Sequence, residues 1–94
     1  MKNKRKAYNP KTLKDSIKET NQDNQLILYN DNIHTFEYVI NTLIDVCKHS
    51  NIQAEQCTYM VHYNGKCTVK QGNKDNILNL KNILAERGLK ATVE

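Results

Sequence analysis

The chain lacks most of what would mark a membrane protein, a secreted scaffold or an enzyme. No apolar run among its 94 residues approaches the roughly 20 residues that a membrane-spanning helix needs. Glycine is scarce, with three in all, and no glycine-rich phosphate loop or nucleophile motif is present. There is no CxxC pair. The three cysteines, Cys47, Cys57 and Cys67, are an odd number, which argues against a disulfide framework. Together with His34, His49 and His62 they fit no standard zinc spacing. Reduced thiols within the core are the expectation, with no metal and no cofactor. The basic start, Met1 to Lys6, leads into no apolar segment and so does not read as a secretory signal. A cytoplasmic protein without catalytic activity is the simplest expectation.

What is present is one small domain's worth of chain with an uneven charge. Residues 1–25 hold seven Lys/Arg against three Asp/Glu, and residues 26–94 hold seven of each. The whole formal charge of +4 therefore lies in the leading segment. A basic arm suits nucleic acid, an anionic membrane or an acidic protein groove, and it also suits a solvated tail with no partner. Residues 1–24 are polar and carry no sustained apolar periodicity, so the expectation is a flexible basic extension (1–24) before a folded core (25–94).

Periodicity organises that core. Residues 25–29 read as a strand, with Leu26 and Leu28 on one face and Ile27 and Tyr29 on the other. A polar loop, Asn30 to Thr35, follows. Phe36, Val39, Ile40, Leu43, Ile44 and Cys47 then recur at helical spacing. Ser50 or Asn51 can cap a second helix to about Val61, with Ala54, Cys57 and Val61 facing inward. Tyr63-Asn64-Gly65 reads as a turn, and residues 66–70 as a strand with Cys67 and Val69 inward. Gly72 to Asp75 breaks it. Ile77, Leu80, Ile83 and Leu84 mark a third helix, which Gly88 ends in a left-handed conformation. Leu89, Ala91 and Val93 alternate inward on a last strand. The order is βααβαβ: an α+β domain with a small three-stranded antiparallel sheet packed against three helices.

Three segments carry a resemblance: Leu28-Tyr29-Asn30-Asp31, Glu37-Tyr38-Val39-Ile40 and Val61-His62-Tyr63-Asn64-Gly65-Lys66. In order and spacing, from residue 26 to about 94, the chain resembles the ClpS family, small adaptors that hand proteins with destabilising N-terminal residues to Clp AAA+ proteases. The resemblance implies a site for a free α-amino group at Asn30, Asp31, Asn32 and His62. It implies a hydrophobic pocket at Phe36, Val39, Thr58, Val61 and Leu89 for the first side chain of the substrate. The chemistry is suitable. An α-ammonium has three donors and one positive charge; an amide oxygen, a carboxylate and a neutral imidazole are acceptors. The sequence departs from the family where Asn32 replaces the usual aspartate, where His34-Thr35 stands for Thr-Pro, and where Phe36 and Thr58 replace methionine. Thr35 can still cap the helix.

Taken singly these residues have plain structural explanations. Asn-Asp-Asn is an ordinary turn, and a histidine at a helix end is commonly a dipole partner. Asp31 and His62 can also be imagined as an acid–base pair, but without a nucleophile or metal it has no reaction to run. The expected partners are a ClpA- or ClpC-type unfoldase and substrates with a bulky hydrophobic first residue, with no membrane. The alternative is a nucleic-acid or ribosome-associated domain built on the basic arm. No aromatic pair is spaced as an RNA-stacking strand would need. A pocketless scaffold of the same fold is the third reading.

Overall fold

The computed structural model describes residues 24–94; the expected extension over 1–24 lies outside the described residues but for Asn24. The element order is β1 (Asn24–Tyr29), α1 (Phe36–Cys47), α2 (Asn51–Asn64), β2 (Lys66–Gly72), α3 (Lys74–Glu86) and β3 (Lys90–Val93). The sheet runs β2-β1-β3, antiparallel at both junctions, so the first strand is the central one. This is the α+β architecture that the periodicity implies.

The helices form where sequence supplies both a stripe and a cap. Thr35 Oγ1 accepts the Tyr38 N–H at 3.0 Å and opens α1. Ser50, rather than Asn51, opens α2, with its hydroxyl accepting the Gln53 N–H at 3.1 Å. Asn73 opens α3 through the Asn76 N–H at 2.9 Å. Each cap satisfies an amide that a bare helix end leaves unpaired. Gly88, at φ +84°, closes α3: its N–H reaches Ala85 O and the Leu89 N–H reaches Leu84 O, both at 3.0 Å. That paired arrangement turns Leu89 back onto the helix and buries it.

Leu26, Leu28, Leu43, Cys47, Ala54, Ile77 and Leu84 form the most buried part of the core between helices and sheet. Burying side chains of the larger kind stabilises by about 1.5–3 kcal/mol each. The corner after α1 is fastened to β2. His49 is buried, with Nε2 2.6 Å from Val69 O, and Lys70 Nζ donates to Cys47 O at 2.9 Å. The second bond sets a cation on the carbonyl end of α1, where the helix dipole favours it.

Several boundaries differ from the sequence expectation. α2 does not yield to a turn at Tyr63 but continues through Asn64, because the left-handed cap falls at Gly65 (φ +93°), whose N–H bonds Val61 O. His62 therefore lies within the last helical turn. β2 reaches Gly72 instead of ending at Lys70, and α3 begins at Lys74; Asn73 makes the break, not the glycine. Ile27 is buried at 5% exposure like its neighbours, because a central strand is flanked on both edges: Thr68 and Thr92 are its cross-strand partners. The pairing of β1 with β2 shifts by one residue between Leu26 and Ile27, a bulge that lets a strand bend.

Candidate functional site

A cleft of about 280 Å³ opens where the end of β1 meets the start of α1, the end of α2 and the turn before β3. This is close to the lower limit of ligand pockets, roughly 300–1,000 Å³, and suits one side chain rather than a large cofactor. Asn30, Asp31, Asn32 and His62 line it. So do Phe36, Val39, Thr58, Val61 and Leu89. The fold thus brings all nine residues singled out in the sequence around one cavity.

Two backbone features position the polar end. The Asn30 N–H donates to Gly65 O at 3.0 Å, tying the first loop residue to the close of α2, the helix that carries His62. Asp31 folds the loop on itself: its Oδ1 accepts the N–H groups of Ile33 and His34, each at 2.9 Å. Its Oδ2 lies 3.0 Å from His34 Nδ1. Burial alone would raise the Asp31 pKa. The His34 N–H and ring, the Ile33 N–H and the imidazole's charge outweigh burial and hold the carboxyl below its ordinary value of 3.8. The acid–base pairing imagined between Asp31 and His62 gives way to this shorter-range one with His34, since three residues of loop place the imidazole directly on the carboxylate.

The apolar end is built from α1, α2 and the α3–β3 turn. Phe36 is wedged edge-on between Tyr59 and His62, with ring centres 5.2 and 4.9 Å away. Such contacts contribute about 0.5–1.5 kcal/mol each beyond burial, so the ring is a fixed wall. Thr58 is buried and its hydroxyl donates to Ala54 O at 2.8 Å. A threonine spent in this way leaves no unsatisfied polar group facing the cavity, and the wall is apolar in effect. Val61 and Leu89 are buried and Val39 is half-buried.

Four lining residues escape the sequence reading: Leu28, Tyr29, His34 and Thr35. Leu28 and Thr35 were read as core and cap, which they also are. His34 enters the sequence reading as one of three histidines and as a departure from Thr-Pro, not as a lining residue. Its ring stacks on Tyr38 at 4.8 Å, and the Tyr38 hydroxyl donates to Arg87 O at 2.7 Å, a contact between residues far apart in sequence. Among the described residues no three His, Cys, Asp or Glu side chains come together as a metal set.

A family model described as ATP-dependent Clp protease adaptor protein ClpS matches residues 19–92. The chain belongs to the ClpS family. It is, accordingly, a Clp protease adaptor, of a family that acts by binding rather than catalysis. ClpS adaptors partner with Clp AAA+ proteases. Among solved structures, Agrobacterium tumefaciens ClpS2 bound to L-phenylalaninamide is similar in fold, with a TM-score of 0.66 over 76% of this chain and 93% of that one at 22% identity. Among curated proteins nothing matches. No helix of the described residues is long and apolar enough to cross a membrane.

Proposed function

We propose that this ClpS-family chain binds the free N-terminus of proteins whose first residue is bulky and hydrophobic, and delivers them to a ClpA- or ClpC-type unfoldase working with ClpP. One observation carries the reading: a single cleft has hydrogen-bond acceptors at Asn30, Asp31 and His62 and an apolar wall at Phe36, Val39, Thr58, Val61 and Leu89. A chain terminus with a large apolar side chain presents the matching pair of features, an ammonium beside a hydrophobe. The fold relative from Agrobacterium holds a small molecule of this chemistry, the amide of phenylalanine.

The cleft bears on which ligands enter. Among the described residues that line it, Asp31 is the one acidic residue, so the ligand's charge must be met mostly there. Delivery falls to the basic extension, residues 1–24, because the whole net charge lies within residues 1–25. A chain starting at Asn24 is expected to fold and to bind peptide but not to promote degradation by the purified protease.

Titration with a phenylalanine-initiated peptide, free and N-acetylated, tests the binding reading. Acetylation removes the charge and two donors. Losing hydrogen bonds to charged groups, worth ~1.5–3 kcal/mol each, weakens binding more than about tenfold. Equal affinity for the two peptides would overturn the reading.

A further inference from the structure

His34 has no task in an ammonium site as described so far, yet three parts of the fold hold it there. From its own loop, Asp31 Oδ2 lies 3.0 Å from Nδ1. From α1, Tyr38 stacks on the ring at an interplanar angle of 19°. From the α3–β3 turn, Gly88 approaches so closely that a Cβ there would stand 3.1 Å from Nε2. Arg87, beside Gly88, is paired with Asp45, and His62 lines the cleft from α2.

The acceptor count at Asp31 is the decisive quantity. A carboxylate offers about four lone-pair sites. The Ile33 and His34 amides and the His34 ring take three. About one site is left for a ligand, on the one acidic side chain among the described residues that line the cleft. With Nδ1–H donating, a neutral His34 aims and steadies that carboxylate without cancelling its charge. A protonated His34 is itself the counter-ion.

We infer that His34 is the positioning residue of the ammonium site, and that its charge state sets how much negative charge Asp31 presents to an incoming α-ammonium. The inference rests on the reading of the cleft given above and deepens it: imidazolium and substrate ammonium compete for one carboxylate. Linkage makes the competition reciprocal, so an ammonium ligand must also disfavour protonation of His34. His62, when protonated, loses its acceptor and opposes the ligand independently. Two protons are therefore excluded by binding, each contributing up to about tenfold in affinity per pH unit on the acid side of its titration.

The test uses the full chain and a phenylalanine-initiated peptide, titrated from about pH 5 to about pH 7, where imidazoles change charge and the peptide's amine stays protonated. His34→Asn keeps an amide N–H donor where Nδ1 faces Asp31 but cannot take up a proton. Its affinity is expected to fall less steeply with acid than the wild type's, by up to about tenfold per pH unit, while the two converge at the neutral end. His34→Ala, which has no donor, is expected to bind more weakly throughout. A wild-type pH profile in His34→Asn overturns the inference while leaving the cleft reading intact. Absence of wild-type binding at every pH overturns both. Nuclear magnetic resonance of the wild type gives a measurement free of mutation: saturating peptide is expected to move the His34 ring titration to lower pH, and an unmoved titration refutes the competition.

Discussion

Asp31→Asn separates charge from architecture at the cleft. The asparagine keeps an oxygen able to accept the Ile33 and His34 N–H groups that Asp31 Oδ1 accepts at 2.9 Å, so the loop retains its turn. What disappears is the negative charge, and among the described residues no other acidic one lines the cavity to replace it. A hydrogen bond to a charged partner contributes ~1.5–3 kcal/mol. The Asp31 side chain is 20% exposed, and solvent screening places the expected loss toward the lower figure, about tenfold in affinity. Fluorescence anisotropy with a labelled phenylalanine-initiated peptide reads this directly. Run at low and high salt, it should show wild-type affinity falling with ionic strength and the variant's changing little, because screening acts only on charge. The thermal midpoint should move by only a few degrees. Equal affinity with equal salt dependence refutes the assignment of Asp31 as the cation's partner. A variant that fails to fold shows instead that its role is to hold the loop.

Other perturbations test the walls and the frame. Phe36→Ala is expected to admit peptides beginning with Ile or Val, whose second Cβ substituent meets the fixed ring in the wild type at a cost of about 1–3 kcal/mol; first-residue peptide series measure it, and equal wild-type binding of Ile and Leu peptides refutes it. Gly88→Ala should destabilise by more than Gly65→Ala in urea melts. Both lie at positive φ, where an L side chain costs about 1–2 kcal/mol, but only at Gly88 does the new methyl meet a ring. Asp31 has a lowered pKa in the folded state, so its contribution to stability is present above 3.8 and is lost as pH falls through the folded value; wild type and Asp31→Asn should converge in stability under strong acid. Burial pushes the Cys57 thiol up to about 12 and the Cys47 thiol up to about 11. Neither titration affects stability while both states keep the thiols neutral below 9.0; stability falls as pH rises from 9.0 toward the folded values, because unfolded thiols ionise first. Alkylation at neutral pH should therefore await unfolding, which mass spectrometry of iodoacetamide-treated protein measures.

Much of this was legible in the residues because the relevant signals are local. The stripe from Phe36 to Cys47, the cap at Thr35 and the left-handed stop at Gly88 each sit within a few residues of what they control. The grouping of the nine cleft residues followed from order and spacing shared with the ClpS family. His34 was harder to place, because its significance depends on Tyr38 reaching Arg87 and on Gly88 coming alongside, contacts that only the closed fold creates. The end of α2 was misread for a related reason. Tyr63 and Asn64 carry turn-like chemistry, yet a helix already running continues until a residue can leave it cheaply, and that residue is Gly65. Ile27 looked like an outward residue because alternation assumes one wet face, and a central strand bonded to a neighbour on each side need not have one.

The position of β1 has a mechanical consequence. The loop that bears Asn30 and Asp31 leaves directly from the end of this strand, and both neighbouring strands are bonded to it along its length. A tug along the strand axis therefore loads two ladders of hydrogen bonds in shear at once, so that they must fail together, whereas an edge strand peels away bond by bond. On the function proposed above, the grip on a ligand would be the fuse, a handful of contacts at the cleft, while the handle behind it is the strand around which the whole sheet is laid.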